Sequence, residues 1–409
     1  MLVCLAILIG SEYRVLSVQK LTTFDTLLLQ GQYSDARSLL LAARDTSRDP
    51  VLLAKFWTVS ILLDDTGALA SSVEELGHSP LALEQKALLF GHWFHHQQLS
   101  GQALQAWNQA LSSPALQKAR FEGRLPKYWF DLIKKTLARA SELISQSLSA
   151  SIEQPDARIQ AMVDSFFGGE SVQEKSANVA LQRPSLLRYP QLRAQPFWDF
   201  GEQAWHQQLI DSANDIRNEL QTYLAKTSAA LNPYVRQTDG APASWSHLIE
   251  KNSWQALHLM KAGKETEVAA AFPETLKALK RVPLSFCGNH APEAFFSVLQ
   301  AKTHIPPHYG LSNFKLVAHL PILLPGGCSL TAGKETRQWQ QDKLLVFDDS
   351  FLHEAKNESD QQRIVLIFDI WHPDLSNEEK QRIRQVMTRL DQCYQHYPAL
   401  MSVLKTAST

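Results

Sequence analysis

Cysteine is scarce in this 409-residue chain: there are four, Cys4, Cys287, Cys328 and Cys393, far apart and with no CxxC pair. That usage argues against a disulfide scaffold and a cysteine-rich zinc site, and it suits a reducing compartment. Net charge is lacking as well. Lys and Arg number 40 against 41 Asp and Glu, a formal charge of −1, so there is neither a basic nucleic-acid footprint nor an acidic tail. Long apolar runs are missing too. Residues 1–10, MLVCLAILIG, are too short to span a bilayer and lack the basic flank of a secretory signal. They read as the start of a packed helix, or as a misassigned start. No membrane span is expected, and the cytoplasm is the expected location. Gly326-Gly327 reads as a turn, since no Gly-Lys-Ser/Thr pattern follows to make a phosphate loop. What is present is a globular balance, 44% hydrophobic and 20% charged, over a length sufficient for two domains.

The first part of the chain is patterned as helix. Apolar residues recur at three- and four-residue spacing over about residues 21–148. Gly31 and Tyr33 precede Ala36, Leu40 and Ala43, with Pro50 after them; Gly91 precedes Ala103, Trp107 and Ala110, with Pro114 after them. Small residues at those places let paired helices approach, while Leu40 and Trp107 fill the gap. The spacing resembles the tetratricopeptide repeat, a helix-turn-helix unit that stacks into a solenoid with a concave, peptide-holding face. An irregular helical bundle is the alternative.

Composition shifts over residues 166–184, where Phe-Phe-Gly-Gly-Glu leads into polar residues and Arg183-Pro184. A boundary is placed there, giving an α-helical domain over 1–180 and a second domain over 181–409. After an amphipathic helix over about 204–229, strand signals begin only beyond Val282, at 295–299, 315–323, 343–347 and 364–370, with Gly and Pro between. This is the texture of an antiparallel double-layered barrel, closed by a last amphipathic helix over about 377–394. The expected class is α+β.

Chemistry concentrates between Phe295 and Pro373. His308 and His353 could converge on one divalent metal, although a lone buried histidine is more often a bonded core residue. Arg363 opens the apolar strand Ile364-Val365-Leu366-Ile367-Phe368. A buried guanidinium is costly unless it meets an anion, and its fork matches a carboxylate. The plain alternative is an ion pair with Asp369 or Asp349. Lys315, Val317 and His319 share one strand face. Asp348-Asp349, just after an apolar run, reads as a turn cap, and Trp371-His372-Pro373 as a packed strand end.

The run His304-Ile-Pro-Pro-His308-Tyr-Gly310-Leu-Ser-Asn313 resembles the first metal motif of the aspartyl/asparaginyl β-hydroxylase family. So do Glu335-Thr336, Trp339, the stretch Lys343 through Asp348-Asp349-Ser350 to His353-Glu354, then Arg363 and Asp369-Ile-Trp371-His372-Pro373. The resemblance is dense over 297–375 and implies a double-stranded β-helix of jelly-roll or cupin-like form with flanking helices. It implies iron(II) held by His308 and His353, and 2-oxoglutarate held by Arg363 and Ser297, with His319 at its other end. The carboxylate that most such oxygenases carry two residues after the first histidine is replaced by Gly310, as in the animal peptide hydroxylases of the family, so water would complete the coordination. The arginine those enzymes carry two residues before His319 is here Val317; Lys315 is a candidate substitute for substrate binding.

The implied activity is dioxygen-dependent hydroxylation of an unactivated carbon, foremost the β-carbon of Asp or Asn in a peptide or protein held by the helical region. Relatives that act on free amino acids, small peptides or lipid acyl chains keep those substrates open. Two other readings stand beside it: a catalytically silent repeat scaffold, and a cupin-like zinc or manganese enzyme that does not use 2-oxoglutarate.

Overall fold

The computed structural model describes residues 23–46, 49–153, 155–167, 178–227, 231–236 and 243–408. The apolar opening, Cys4 and the glycine pair after Phe167 lie outside the described residues. Two compact units emerge, one of residues 1–147 with 392–409 and one of 148–391. The boundary expected at 180/181 therefore falls within the second unit, and the chain's last residues count with the first.

In the first unit, two helices begin where a side chain just before them satisfies a free N–H group. Asp49 accepts from the Val51 N–H with Pro50 opening the helix Pro50–Leu62, and Ser113 does the same service before Pro114–Phe121. These prolines open the next helix rather than only ending the last. Ala36 and Leu40 are fully buried, as are Ala103, Trp107 and Ala110; Ala43 is half-buried. Leu83–His96 packs on Ser100–Leu111, with Gly91 facing the Trp107 indole so closely that any Cβ would overlap the ring. A second helix follows the expected terminal one: Pro398–Ser408, whose first free N–H groups, Ala399 and Leu400, donate to Asn108 Oδ1. Pro398 opens it, but the cap for its free N–H groups is supplied by Asn108 from elsewhere in the chain. Among the described residues no helix is long and apolar enough to cross a membrane.

The second unit is built on twelve strands: β1 Phe197–Trp198, β2 Asn232–Pro233, β3 Trp254–Lys261, β4 Lys264–Glu265, β5 Ala294–Leu299, β6 Thr303–His308, β7 Lys315–Leu323, β8 Cys328–Ala332, β9 Glu335–Gln338, β10 Leu345–Phe347, β11 His353–Asn357 and β12 Arg363–Trp371. One sheet runs β1-β10-β7-β12-β5-β3-β2 with β4 on β3; the other runs β6-β11-β8-β9, and every pairing is antiparallel. From β5 to β12 the chain passes back and forth between the sheets, which is the jelly-roll arrangement. Strand structure begins earlier than expected, with the two-residue β1 and β2 and then the eight-residue β3. Both faces of that strand are largely buried and a bulge interrupts it between His258 and Met260, so its sequence does not alternate cleanly. The helix expected over 204–229 is two helices, Ala204–Asp211 and Ala213–Lys226, parted at Ser212.

Alternation on the large sheet positions the site. Phe296 and Val298 of β5, Leu316, Ala318 and Leu320 of β7, and Leu366 and Phe368 of β12 face outward onto Leu209, Ile216, Leu220 and Phe272. Their neighbours in sequence must then face the space between the sheets.

Gly91→Ala tests the packing in the helical unit. A methyl group normally favours a helix by about 1 kcal/mol over glycine, but here it must displace the Trp107 indole. We expect net destabilisation of about 1–3 kcal/mol, read by chemical denaturation; a stabilised variant would contradict the packing.

Candidate active site

A cavity of about 400 Å³ lies between the two sheets, and its walls include His308, His353, Arg363, Ser297, His319 and Lys315. All six candidate residues thus reach one space. They arrive there by register. His308 ends β6 and His353 opens β11 directly opposite it, and their rings lie 4.0 Å apart, centroid to centroid.

Each histidine is oriented by its own chain. His308 Nδ1 is 2.8 Å from the Pro306 carbonyl oxygen and His353 Nδ1 is 3.0 Å from that of Phe351. A carbonyl only accepts, so Nδ1 carries the proton in both rings and Nε2 keeps its lone pair, the form a metal needs. Burial, reinforced at His308 by the neighbouring His353, pushes both down to about 4, so both are neutral at ordinary pH. Among the described residues no group of three or more His, Cys, Asp or Glu side chains is set to hold a metal. The histidine pair thus stands without a third such side chain set beside it among the described residues, and residue 310, two places after His308, is glycine.

Arg363 is 1% exposed and bonds Ser297 Oγ at 3.1 Å, with its guanidinium 4.8 Å over the Trp339 ring. Its Nε has no partner, and no carboxylate pairs with it among the described residues. Burial lowers its pKa to about 10, which leaves it charged. The alternative ion pairs do not form: Lys315 holds both carboxylates, with Nζ 2.8 Å from Asp369 Oδ1 and 3.4 Å from Asp349 Oδ2, and Asp369 lies six residues along β12 from Arg363, roughly 20 Å away. A buried cation facing a cavity with no counter-ion is a site for an anion.

Two further donors accompany it. Ser297 Oγ accepts from Arg363 and, at 3.0 Å, from Trp254 Nε1, so both lone pairs are engaged and its own proton is left to give. Trp339 Nε1 donates to His319 Nδ1 at 3.2 Å; an indole N–H cannot accept, so His319 is neutral with its proton on Nε2. Burial first, and then the Arg363 charge, hold His319 well below its usual pKa. Trp254 carries no signal in the sequence, and Trp339 stands there only as part of the family pattern, because nothing in a sequence says which indole N–H will tune a distant hydroxyl or imidazole.

Asp348 and Asp349 part company. Asp348 Oδ1 takes the Ser350 N–H and hydroxyl, the turn cap expected of it. Asp349 instead lines the cavity, in the volume that a side chain at Gly310 would fill. The expected cap at Asp349 is thus corrected: buried and paired with Lys315, it belongs to the cavity wall. Lys315 is committed to these carboxylates rather than free for an incoming anion. Burial works against its ammonium, yet the two carboxylates outweigh it and hold its pKa above the ordinary range. Glu293 and Tyr234 also reach the cavity and carried no role in the sequence reading; the signal available was Glu293's even spacing from Ser297. His372 is fully buried, bonds the Arg193 carbonyl and lies outside the cavity lining, as a packed strand end should.

Residues 211–373 match the model of the Aspartyl/Asparaginyl beta-hydroxylase family, in agreement with the resemblance read from the motifs. Human aspartyl/asparaginyl beta-hydroxylase is 29% identical over 205 residues, 49% of this chain and 26% of that protein. Human aspartate beta-hydroxylase domain-containing protein 1 is 30% identical over 209 residues, 50% of this chain and 52% of that protein. The chain thus spans about a quarter of the first relative and about half of the second. Among solved structures, a Cupin 2 conserved barrel domain protein from Salinispora arenicola aligns with 36% of this chain and 96% of its own, at 12% identity and a TM-score of 0.21. At that score the jelly-roll assignment rests on the strand order alone.

Two substitutions test the wall. Gly310→Ala must push the Asp349 carboxylate aside, so we expect a loss of about 1–3 kcal/mol in denaturation experiments; a neutral result would mean that the two residues are not in contact. Lys315→Met strands two buried carboxylates, and we expect a loss of about 3–5 kcal/mol, with Lys315→Arg restoring part of it.

Proposed function

With the aspartyl/asparaginyl β-hydroxylase match of residues 211–373 as premise, we propose that the barrel is an iron(II)- and 2-oxoglutarate-dependent dioxygenase. Its proposed reaction is hydroxylation of an unactivated carbon, foremost the β-carbon of an Asp or Asn residue in a peptide or protein. The observation that carries the reading is Arg363, a buried cation on the cavity wall with a free Nε and no carboxylate partner among the described residues.

The donor set fits the group. His308 Nε2 and His353 Nε2 would hold the metal, and the carbonyl bonds at their Nδ1 atoms fix ring orientation and tautomer before any metal arrives. The Arg363 fork and the Ser297 hydroxyl would take the distal carboxylate of 2-oxoglutarate, and the His319 Nε2–H would donate to its other end. Iron(II), with dioxygen and 2-oxoglutarate, supplies the oxidising power. What the chain adds is position and dryness. Val317, Phe347 and Ile367 line the space between the guanidinium end and the Lys315 end, keeping water from the reacting centre and strengthening each charge-assisted bond there.

The helical unit is proposed as a peptide-holding, repeat-like element, and the cytoplasm as the compartment. A silent scaffold is disfavoured by a cavity that keeps an unpaired guanidinium, since a decayed site gains nothing from that cost.

Arg363→Ala decides the question. Removing one partner of a buried charged pair costs about 2–5 kcal/mol, so 2-oxoglutarate affinity should fall at least about 30-fold, with loss of succinate release and of oxygen incorporation into peptides detected by mass spectrometry. Turnover in this variant with unchanged 2-oxoglutarate affinity would instead favour a zinc or manganese enzyme of the same fold.

A further inference from the structure

The cavity has two electrically different ends. Arg363, Ser297 and His319 make one end a set of donors. On β5 the odd-numbered positions step away from that end: Phe295 follows Ser297 inward, and Glu293, just before the strand, stands four residues from Ser297, roughly 13 Å along an extended chain. On β12 and β7, Asp369 and Lys315 mark the same far end, and Asp349 joins them. Three carboxylates therefore face one ammonium, which both Asp369 and Asp349 already share.

Two of those carboxylates have unused capacity. Asp349 is 8% exposed, lines the cavity, and its Oδ1 is buried with no hydrogen-bond partner. Glu293 has no nearer basic group than His258, whose Nε2 is 3.9 Å away, and burial drives that imidazole down to about 4, so it brings no charge. Burial first, and then the Asp369 carboxylate, raise the pKa of Glu293 itself against the opposing pull of Lys315 and Lys261. Aromatic faces flank it: Tyr234 stacks on Trp254 at 4.1 Å and on Phe295 at 5.2 Å, and all three line the cavity. Carboxylate beside stacked rings is a setting for a cation.

We infer that the substrate presents a cationic group, a protonated amine or a guanidinium, to Glu293 at the end of the cavity away from Arg363. This rests on the hydroxylase reading, in which the metal dication and the 2-oxoglutarate dianion cancel and leave the far end with its excess of carboxylates.

The test is calorimetric titration of the full chain with two blocked tripeptides, N-acetyl-Ala-Arg-Ala-amide and its isosteric uncharged counterpart with citrulline in place of arginine. We expect the arginine peptide to bind at least about tenfold more tightly, and Glu293→Gln to abolish that difference. Retained 2-oxoglutarate binding in the variant checks that its barrel is folded. Equal affinities, a preference for citrulline, binding of neither peptide, or an arginine preference that survives Glu293→Gln would each overturn the inference. Titration of 2-oxoglutarate into the wild type and Arg363→Ala reports separately on the reading beneath it. Arginine selectivity without Arg363-dependent 2-oxoglutarate binding would sink that reading and leave the cation site standing.

Discussion

A guanidinium buried without a counter-ion is the constraint around which this barrel is arranged. Arg363 opens β12, yet its nearest carboxylate candidates on the same wall are engaged by Lys315. Asp369 stands six residues further along the same strand, roughly 20 Å away, and Lys315 satisfies its carboxylate and that of Asp349 at that far end. Desolvation of the guanidinium is therefore left to be offset by something that enters the cavity. Trp339, lying under the guanidinium, supplies a partial offset that does not use up the fork.

Much of this was legible from residue order. The alternation of Lys315-Leu-Val-Ala-His319 gave the inward face of β7, and the apolar strand after Arg363 pointed to a buried charge. The strand bounds 315–323 match β7 to the residue. The directness of the His308–His353 register and the tautomer of each ring depend on backbone carbonyls at Pro306 and Phe351, which no side-chain pattern reports. β3 was missed because a strand buried on both faces and kinked by a bulge loses its period of two. The helix Pro398–Ser408 was missed because its cap comes from Asn108, far away in sequence. Asp349 was misread for a related reason: a turn aspartate and a cavity aspartate have the same local sequence, and only the chain folded opposite tells them apart.

The loops at the histidine pair are held by backbone as well as by side chains. Asn313 exchanges two hydrogen bonds with the Tyr189 backbone, at 2.7 and 2.9 Å. The Ser185 N–H reaches the Gly310 carbonyl, the Arg183 N–H reaches that of Ser350, and the Gly310 N–H donates to that of Asp349. Residues just upstream of the barrel proper therefore clamp both loops that flank the histidines. On the proposed reading, a histidine pair held in this way would need little reorganisation to take up a metal.

The bare Cα at Gly310 has one more implication. The volume beside it is not empty but is filled by a carboxylate that the chain delivers from the turn before β11. An acid from the opposite turn thus sits where a side chain at 310 would have to be. A pattern search keyed to spacing after the first histidine would pass over such an arrangement. The glycine and the aspartate form a single steric unit, since any side chain at 310 must displace the carboxylate.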